Sequence, residues 1–275
     1  MIESGLNIIL LFFVFLLLSI GSWHDIKTRE VADWIWLSMI GGGIAVHILQ
    51  IILLILAKEA VLEYFTTWTI NVAFALSLAL FLTFSGLGGE ADRIAFIAIG
   101  FASPISPPLL IFQDPVYKIL IAITPRILGA FFNAYFITLP VPFLIFCYNI
   151  MNQRFHPDLY IFSNESIWKR FFIRFIGYPR QTRNLDKELK EKPWHFDFLE
   201  EVKEEKGWKI MFRARLDSPE ADLTRKRELI SLIQITEKRS IWVQPSLPFI
   251  FILMLGFFAD ILFGNLVLLF MVILL

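Results

Sequence analysis

The chain has 275 residues, 57% of them hydrophobic, and its mean hydropathy is +0.66. Soluble globular chains are about 45–50% apolar, so this composition excludes an ordinary soluble domain and indicates that lipid covers part of the surface. The net charge is zero, and the basic residues are mixed with acids, which argues against a nucleic-acid surface. Cys147 is the single cysteine and the four histidines show no ligand spacing, so we expect no disulfide, metal or cofactor.

Six apolar stretches are long enough to cross a membrane as helices, because a span needs about 20 residues. The first is predicted to be retained, since no basic residue precedes it and no cleavage pattern follows. Pro104, Pro107 and Pro108 interrupt the fourth and predict a short helix followed by an irregular segment. Gly264-Asn265 is predicted to break the last apolar stretch. The predicted spans are Gly5–Trp23, Trp34–Ala57, Trp68–Gly86, Ile94–Phe112, Ile127–Asn149 and Leu247–Gly264.

The charged residues are concentrated in one block. Residues 151–240 hold 19 of the 25 basic and 15 of the 25 acidic side chains. With six spans, the loops 24–33 and 87–93 and the block 150–246 lie on one side of the membrane and together hold 22 of the 25 basic residues. The positive-inside rule predicts that this side is cytoplasmic.

The charged block has the pattern of a small folded domain. Ser166–Ile176 has apolar residues at helical spacing, and Trp208–Leu216 alternates as a strand does. The predicted fold class is therefore an all-α polytopic membrane protein of about six transmembrane helices, with a small α+β soluble domain inserted before the last helix. The predicted domains are 1–149 (membrane, spans one to five), 150–246 (cytoplasmic) and 247–275 (final span).

Two aspartates lie at the ends of predicted spans, where a charge is costly unless it is solvated or paired. Asp25 directly follows the first apolar run. Asp92 follows the third run, after a turn that contains Gly86, Gly88 and Gly89. By the parity of the spans, both acids lie on the same side and at the same depth. We expect the glycines to permit close backbone approach and positive φ angles.

Two carboxylates in contact cannot both ionise easily, so the pair holds one proton. Such a pair suits amide hydrolysis, because the ionised group takes a proton from water while the protonated one polarises the scissile carbonyl. The proton belongs to the pair rather than to one residue. The structural alternative is that each aspartate is simply a solvated helix end or a helix cap.

The residues around both acids resemble a known family. Residues 25–33 (DIKTREVAD) match the pattern Asp-x-Lys/Arg-x-Arg-Glu-Val/Ile-x-Asp/Asn, and residues 89–92 (GEAD) match Gly-x-Gly/Ala-Asp. Residues 168–172 and 241–245 add similarity to the archaeal branch. The chain thus resembles the archaeal preflagellin and prepilin peptidases, which belong with the type IV prepilin peptidases and other GxGD aspartyl proteases.

The resemblance implies a multi-pass aspartyl endopeptidase of the cell membrane with Asp25 and Asp92 as its catalytic pair. Such enzymes remove the short basic leader from preflagellin or pilin-like precursors at the cytoplasmic face. The implied partners are a precursor with a basic leader and a hydrophobic helix, and membrane lipid. The cysteine-based site of bacterial relatives is absent, so no N-methyltransferase activity is expected.

Five further residues are assigned to the motifs or to substrate binding. Gly88, Gly89 and Glu90 belong to the second motif. Glu30 and Asp33 belong to the first. The three acids could attract the basic leader, and Asp33 has the structural alternative of capping the second span.

Two other functions are left open by the sequence. A transporter or proton relay would use the boundary carboxylates for ions, but no paired broken helices with inverted-repeat symmetry appear. A membrane scaffold would bind partners through the soluble block. His24, His47 and Asp260 are assigned to polar interfaces or helix packing rather than to chemistry.

Overall fold

The computed structural model describes most of the chain, in two compact units. The first unit comprises Met1–Thr138 and Pro248–Leu275, and the second comprises Leu139–Leu247. The described residues are 2–85, 89–105, 117, 124–155, 166–181, 196–198, 200–204, 207–211, 224, 228, 231 and 240–274.

The first unit is helical throughout the part that the structure describes. Buried apolar residues from its helices form one core, and small residues let these helices approach closely. Its helices are α1 (Ile2–Thr28), α2 (Asp33–Ala57), α3 (Val61–Ser85), α4 (Glu90–Ala102), α5 (Arg126–Thr138), α8 (Phe249–Phe263) and α9 (Leu266–Leu274).

Several apolar helices indicate a membrane protein. Four helical segments are long and apolar enough to cross a bilayer, and the bent pair α8 and α9, which meet at 54°, could form a fifth span. The count of six therefore stays a prediction. The four segments are Gly5–Thr28, Asp33–Ala57, Val61–Phe84 and Arg126–Phe155.

The fourth predicted span differs most from the structure. The predicted span covers Ile94–Phe112. The observed helix α4 has only 13 residues and ends at Ala102. Ser103 is extended, with ψ 127°, because the residue before a proline disfavours the helical region. Thirteen residues rise about 20 Å, short of the hydrocarbon thickness. The predicted short helix is confirmed, and residues 106–112 lie outside the described part.

The end of α1 differs from the sequence prediction, and the end of α8 agrees with it. The first helix continues beyond Trp23 to Thr28, since the polar residues that follow the apolar run keep helical hydrogen bonds, such as Arg29 N–H to the Asp25 carbonyl at 3.2 Å. The predicted break after α8 is confirmed. Gly264 there has φ 76° and ψ −154°, a region open essentially to glycine alone.

The second unit combines helices with short strands. Strand β5 lies between β1 and β2 and is antiparallel to both, while β3 and β4 form a separate antiparallel pair. The elements are α6 (Pro140–Phe155), α7 (Ile167–Ile176), β1 (Tyr178–Gln181), β2 (Phe196–Phe198), β3 (Glu200–Glu204), β4 (Gly207–Met211) and β5 (Ser240–Pro245).

The predicted elements of the charged block are confirmed where they are described. The helix predicted over Ser166–Ile176 is α7, and Ser166 caps it by accepting a hydrogen bond from the N–H of Lys169 at 3.3 Å. The predicted strand over Trp208–Leu216 is confirmed as β4, and its residues 212–216 lie outside the described part. The domain limits at 149 and 246 stay predictions.

Candidate active site

Asp25 lies in the last turns of α1 and is buried, with 7% of the residue exposed. Its Oδ2 accepts a hydrogen bond from the backbone N–H of Ile250 at 2.8 Å. That N–H belongs to the first turn of α8, whose N-cap residue Pro248 has no side-chain acceptor. Asp25 therefore satisfies a free donor at a helix N-terminus, where the helix dipole also favours negative charge.

Arg29 is the second group on Asp25. Its Nη1 lies 3.6 Å from Asp25 Oδ1. Its backbone has φ 60°, a left-handed conformation that ends α1. This conformation usually belongs to glycine at a helix C-terminus, and here it is combined with an ion pair to the preceding turn.

Asp92 lies in the first turn of α4 and is partly buried. Its Oδ2 accepts a hydrogen bond from the N–H of Gly89 at 2.7 Å, which is one half of a capping box. Burial raises the pKa of Asp92 to about 6, against the lowering effect of this hydrogen bond. The charge of Asp25 raises that pKa further, whereas Arg29 and Arg93 lower it. Asp25 and Asp92 are therefore electrostatically coupled.

Aromatic rings connect the helices next to the two acids. Phe96 lies one helical turn after Asp92 on the same face of α4. Its ring centroid is 5.8 Å from that of Phe249, the residue before the donor to Asp25. Phe96 is also 5.5 Å from Phe131 on α5. These rings make the surroundings apolar, which explains why burial dominates the pKa of Asp92.

Tyr135 is a neighbour of the site that the sequence prediction missed. Its ring centroid is 4.6 Å from that of Phe131, and the charge of Asp92 acts on it electrostatically. The four-residue spacing of Phe131 and Tyr135 puts both on one face of α5. This spacing was visible in the sequence, but any apolar helix shows the same pattern, so it did not indicate a site.

The glycine motif differs in part from its prediction. Gly89 has φ −79° and ψ 172°, so the expected positive φ is wrong at this position. Any residue can adopt this extended backbone, and a Cβ there would lie 3.5 Å from Asp92 Oδ2, an ordinary contact. Gly86 and Gly88 lie outside the described residues.

The three acids predicted to meet the leader are all exposed. Glu30 follows the end of α1, and Glu90 is the first residue of α4. Asp33 is the first residue of α2, whose N-cap is Ala32 without any side-chain hydrogen bond. The capping interpretation of Asp33 is therefore wrong, although an acid in the first turn still complements the helix dipole.

The comparison with protein families matches the C-terminal part of the chain. Residues 169–266 match the family model Archaeal Peptidase A24 C-terminus Type II. This match supports an archaeal prepilin or preflagellin peptidase family. The matched region contains most of α7 and all of β5 and α8, including the N–H that binds Asp25, and it lies outside the two aspartate motifs. No curated protein matches the chain.

One further acid of the chain is in an ion pair away from the candidate site. Asp260 Oδ2 lies 3.0 Å from Arg126 Nη1, and both side chains are largely buried. Asp260 is ten residues beyond Ile250 on α8, which corresponds to about 15 Å along the helix axis. The packing role assigned to Asp260 agrees with this contact, because its carboxylate lies against Gly129 of α5.

His47 is the remaining buried histidine of the first unit that the sequence singled out. His47 is buried, lies 2.7 Å from the Tyr64 hydroxyl and stacks on Trp68 at 5.1 Å, as expected of a packing residue. Within the described ranges, no group of three or more His, Cys, Asp or Glu side chains could hold a metal ion.

Proposed function

We propose that the chain is an aspartyl endopeptidase of the cell membrane that removes the basic leader from preflagellin or pilin-like precursors at the cytoplasmic face. The match of residues 169–266 to the archaeal peptidase family model supports a prepilin-type peptidase with a protein substrate. The observation that carries the aspartyl mechanism is the coupling of Asp25 and Asp92, because burial and the charge of Asp25 raise the pKa of Asp92 to about 6 and make it easier to protonate than an ordinary aspartate. Perturbed carboxyl pairs of this kind are typical of catalytic sites.

In the proposed mechanism, Asp25 is the base and Asp92 the acid. Asp25, which faces the α8 N–H and Arg29, takes a proton from water as the water oxygen attacks the scissile carbonyl carbon. Asp92 donates a hydrogen bond to the carbonyl oxygen and stabilises its developing charge. The tetrahedral intermediate collapses when the C–N bond breaks, and the amine leaves with a proton from the pair.

The test is cleavage of a preflagellin-like precursor by the full chain in lipid vesicles. Asp25→Asn and Asp92→Asn each remove a titratable proton with little change of shape, and each should lower the cleavage rate by at least about 10²–10⁴-fold. Glu63→Gln is the matched control, because Glu63 is an exposed acid in the first turn of α3. A processed precursor from either aspartate variant at the wild-type rate would exclude this mechanism.

A proton relay is the alternative function, and the bent pair α8 and α9 is the observation in its favour. Broken helices in membranes often surround ion sites. Proton flux measured in the same vesicles separates the two functions. The relay would be favoured by two results together. The wild type would show proton flux without cleaving the precursor, and Asp25→Asn would lose that flux.

A further inference from the structure

Helix α7 presents an apolar face that the other described elements leave largely exposed. Ile167 is 81% exposed, Trp168 75%, Phe172 59% and Phe171 44%. These positions follow the spacing i, i+1, i+4 and i+5, so they form one stripe along the helix. A continuous aromatic patch of this kind is unfavourable in water and indicates an interaction surface.

The remaining positions of α7 are basic, half-buried or buried. Lys169, Arg170 and Arg174 flank the apolar stripe and are half-buried, and Ile173 is buried. The helix contains no acidic residue. A helix with aromatic and aliphatic residues on one face and basic residues beside them has the composition of a segment that lies in the plane of a membrane interface.

The contacts of α7 connect it with a membrane helix. The ring of Phe175 stacks on that of Phe146 in α6 at 4.3 Å, and Phe171 is 5.5 Å from the same ring. The side chain of Asn149 donates hydrogen bonds to the carbonyls of Arg174 at 2.8 Å and Gly177 at 2.7 Å. Helix α7 therefore packs along the middle of α6.

The composition of α6 gives the depth of that contact. Helix α6 is the last part of the candidate span Arg126–Phe155, which has 30 residues, about ten more than hydrocarbon requires. The excess lies at the polar end, which contains Asn149, Asn152, Gln153 and Arg154. The boundary between hydrocarbon and headgroups then falls near Phe146 and Asn149, the residues that contact α7.

We propose that α7 is an interfacial anchor that binds an anionic lipid bilayer. Its stripe of Ile167, Trp168, Phe171 and Phe172 enters the region between headgroups and acyl chains, and Lys169 and Arg170 lie at the anionic headgroups. The basic flank and the neighbouring membrane helix favour lipid over a protein groove. Trp168 is also the residue type that is enriched at this depth. The proposal does not depend on the peptidase mechanism.

The test measures the depth of a spin label on the full chain in vesicles. Because Cys147 is the single cysteine and is exposed, Cys147→Ala gives a background into which Phe172→Cys introduces one label. Phe12→Cys, on an exposed position of α1, reports lipid, and Glu59→Cys, between α2 and α3, reports water. The label at position 172 should collide with oxygen more often than with a water-soluble nickel chelate, as the label at position 12 does.

Two results would overturn the proposal. A label at position 172 that behaves like the label at position 59 shows that the stripe is in water. A label that is in water until a precursor is added, and is shielded afterwards, assigns the stripe to substrate binding instead.

The contribution of the headgroups is tested by vesicle composition. In vesicles of phosphatidylcholine mixed with anionic phosphatidylglycerol, Lys169→Gln with Arg170→Gln should make the label at position 172 shallower. In pure phosphatidylcholine the same double substitution should have little effect. An equal depth with and without the substitutions in the anionic vesicles would overturn the headgroup assignment.

Discussion

Arg29 combines two properties that separate substitutions can distinguish. Its left-handed backbone costs about 1–2 kcal/mol for a residue with a side chain, and its guanidinium lies beside Asp25. Glycine at this position removes both the backbone cost and the ion pair, whereas glutamine removes the ion pair alone.

We therefore expect Arg29→Gly to be more stable than Arg29→Gln by about 1 kcal/mol, while both lose cleavage activity to a similar extent. Thermal unfolding in detergent and precursor cleavage measure the two effects. Arg29→Lys serves as the control, because lysine keeps the positive charge and has the same energetic cost of a left-handed backbone. Full activity in the glycine variant would show that Arg29 does not position Asp25.

The pH dependence of cleavage follows from Asp92. In the proposed mechanism the pair holds one proton, and the pKa of Asp92 is raised to about 6, so Asp92 loses this proton as the pH rises through about 6. We expect kcat/KM to fall along an alkaline limb near pH 6. Arg29 lowers the pKa of Asp92. In the residual activity of Arg29→Gln, the alkaline limb should therefore lie at higher pH than in the wild type.

The measurement is kcat/KM against pH for the wild type, for Arg29→Gln and for Glu63→Gln as the control. The control should keep the limb at the wild-type pH, because Glu63 has no influence on Asp92. Arg29 stabilises the charged form of Asp92, so its removal should raise the pKa of Asp92. A limb that moves to lower pH in Arg29→Gln would contradict this assignment.

Much of the site was predictable at the residue scale because its groups lie within two short motifs. The span ends identified Asp25 and Asp92 as costly boundary charges, and the first motif contains Arg29. The left-handed backbone of Arg29 was not predictable, since arginine as a residue type does not favour this conformation. The expected positive φ of Gly89 failed because α4 begins from an extended residue.

At the scale of elements, α4 depends on small residues where it packs between its neighbours. A Cβ on Gly43 of α2 would lie 2.6 Å from the Cα of Ala102, at the end of α4. Backbone at that distance must move, because it cannot rotate away as a flexible side chain can. Gly41, two residues earlier on α2, has nothing within 4 Å of such a Cβ.

Gly43→Ala should destabilise the protein by about 1–3 kcal/mol through overpacking, whereas Gly41→Ala should be neutral or stabilising by up to about 1 kcal/mol. Thermal unfolding of both variants in the same detergent measures the difference. Equal unfolding temperatures would mean that α2 and α4 are not held in this close contact.

Hydropathy predicted the long helices well and the short ones poorly. Helices α1, α2 and α3 are apolar over most of their length, so composition alone identified them. The fourth apolar stretch passed the same test, but proline ended α4 after 13 residues. A window average does not register one residue that stops a helix, whereas the pair Gly264-Asn265 was found because glycine is itself the signal.

At the scale of the whole molecule, the hydrogen bond from Ile250 to Asp25 joins residues that are 225 positions apart. It connects the first motif with the region that matches the archaeal peptidase family. The sequence indicated that each part belonged to such an enzyme. It could not predict that the start of α8 provides the donor, because that contact depends on how α1 and α8 pack.

The acids around the site give a prediction about the whole enzyme and its substrate. Glu30, Asp33 and Glu90 are exposed near the helix ends that carry Asp25 and Asp92. A basic leader should be attracted to this negative surface, and the attraction should weaken with salt. Replacing all three acids by their amides should therefore raise KM for a basic leader while kcat changes little.

The measurement compares two precursors, one with its basic leader and one whose leader lysines and arginines are replaced by glutamine. The triple variant should raise KM about 10-fold more for the basic precursor, which corresponds to about 1.4 kcal/mol. Glu59→Gln with Glu63→Gln is the control, since both acids are exposed where α2 ends and α3 begins. An equal rise in KM for the two precursors would contradict electrostatic recognition, because loss of structure affects both alike.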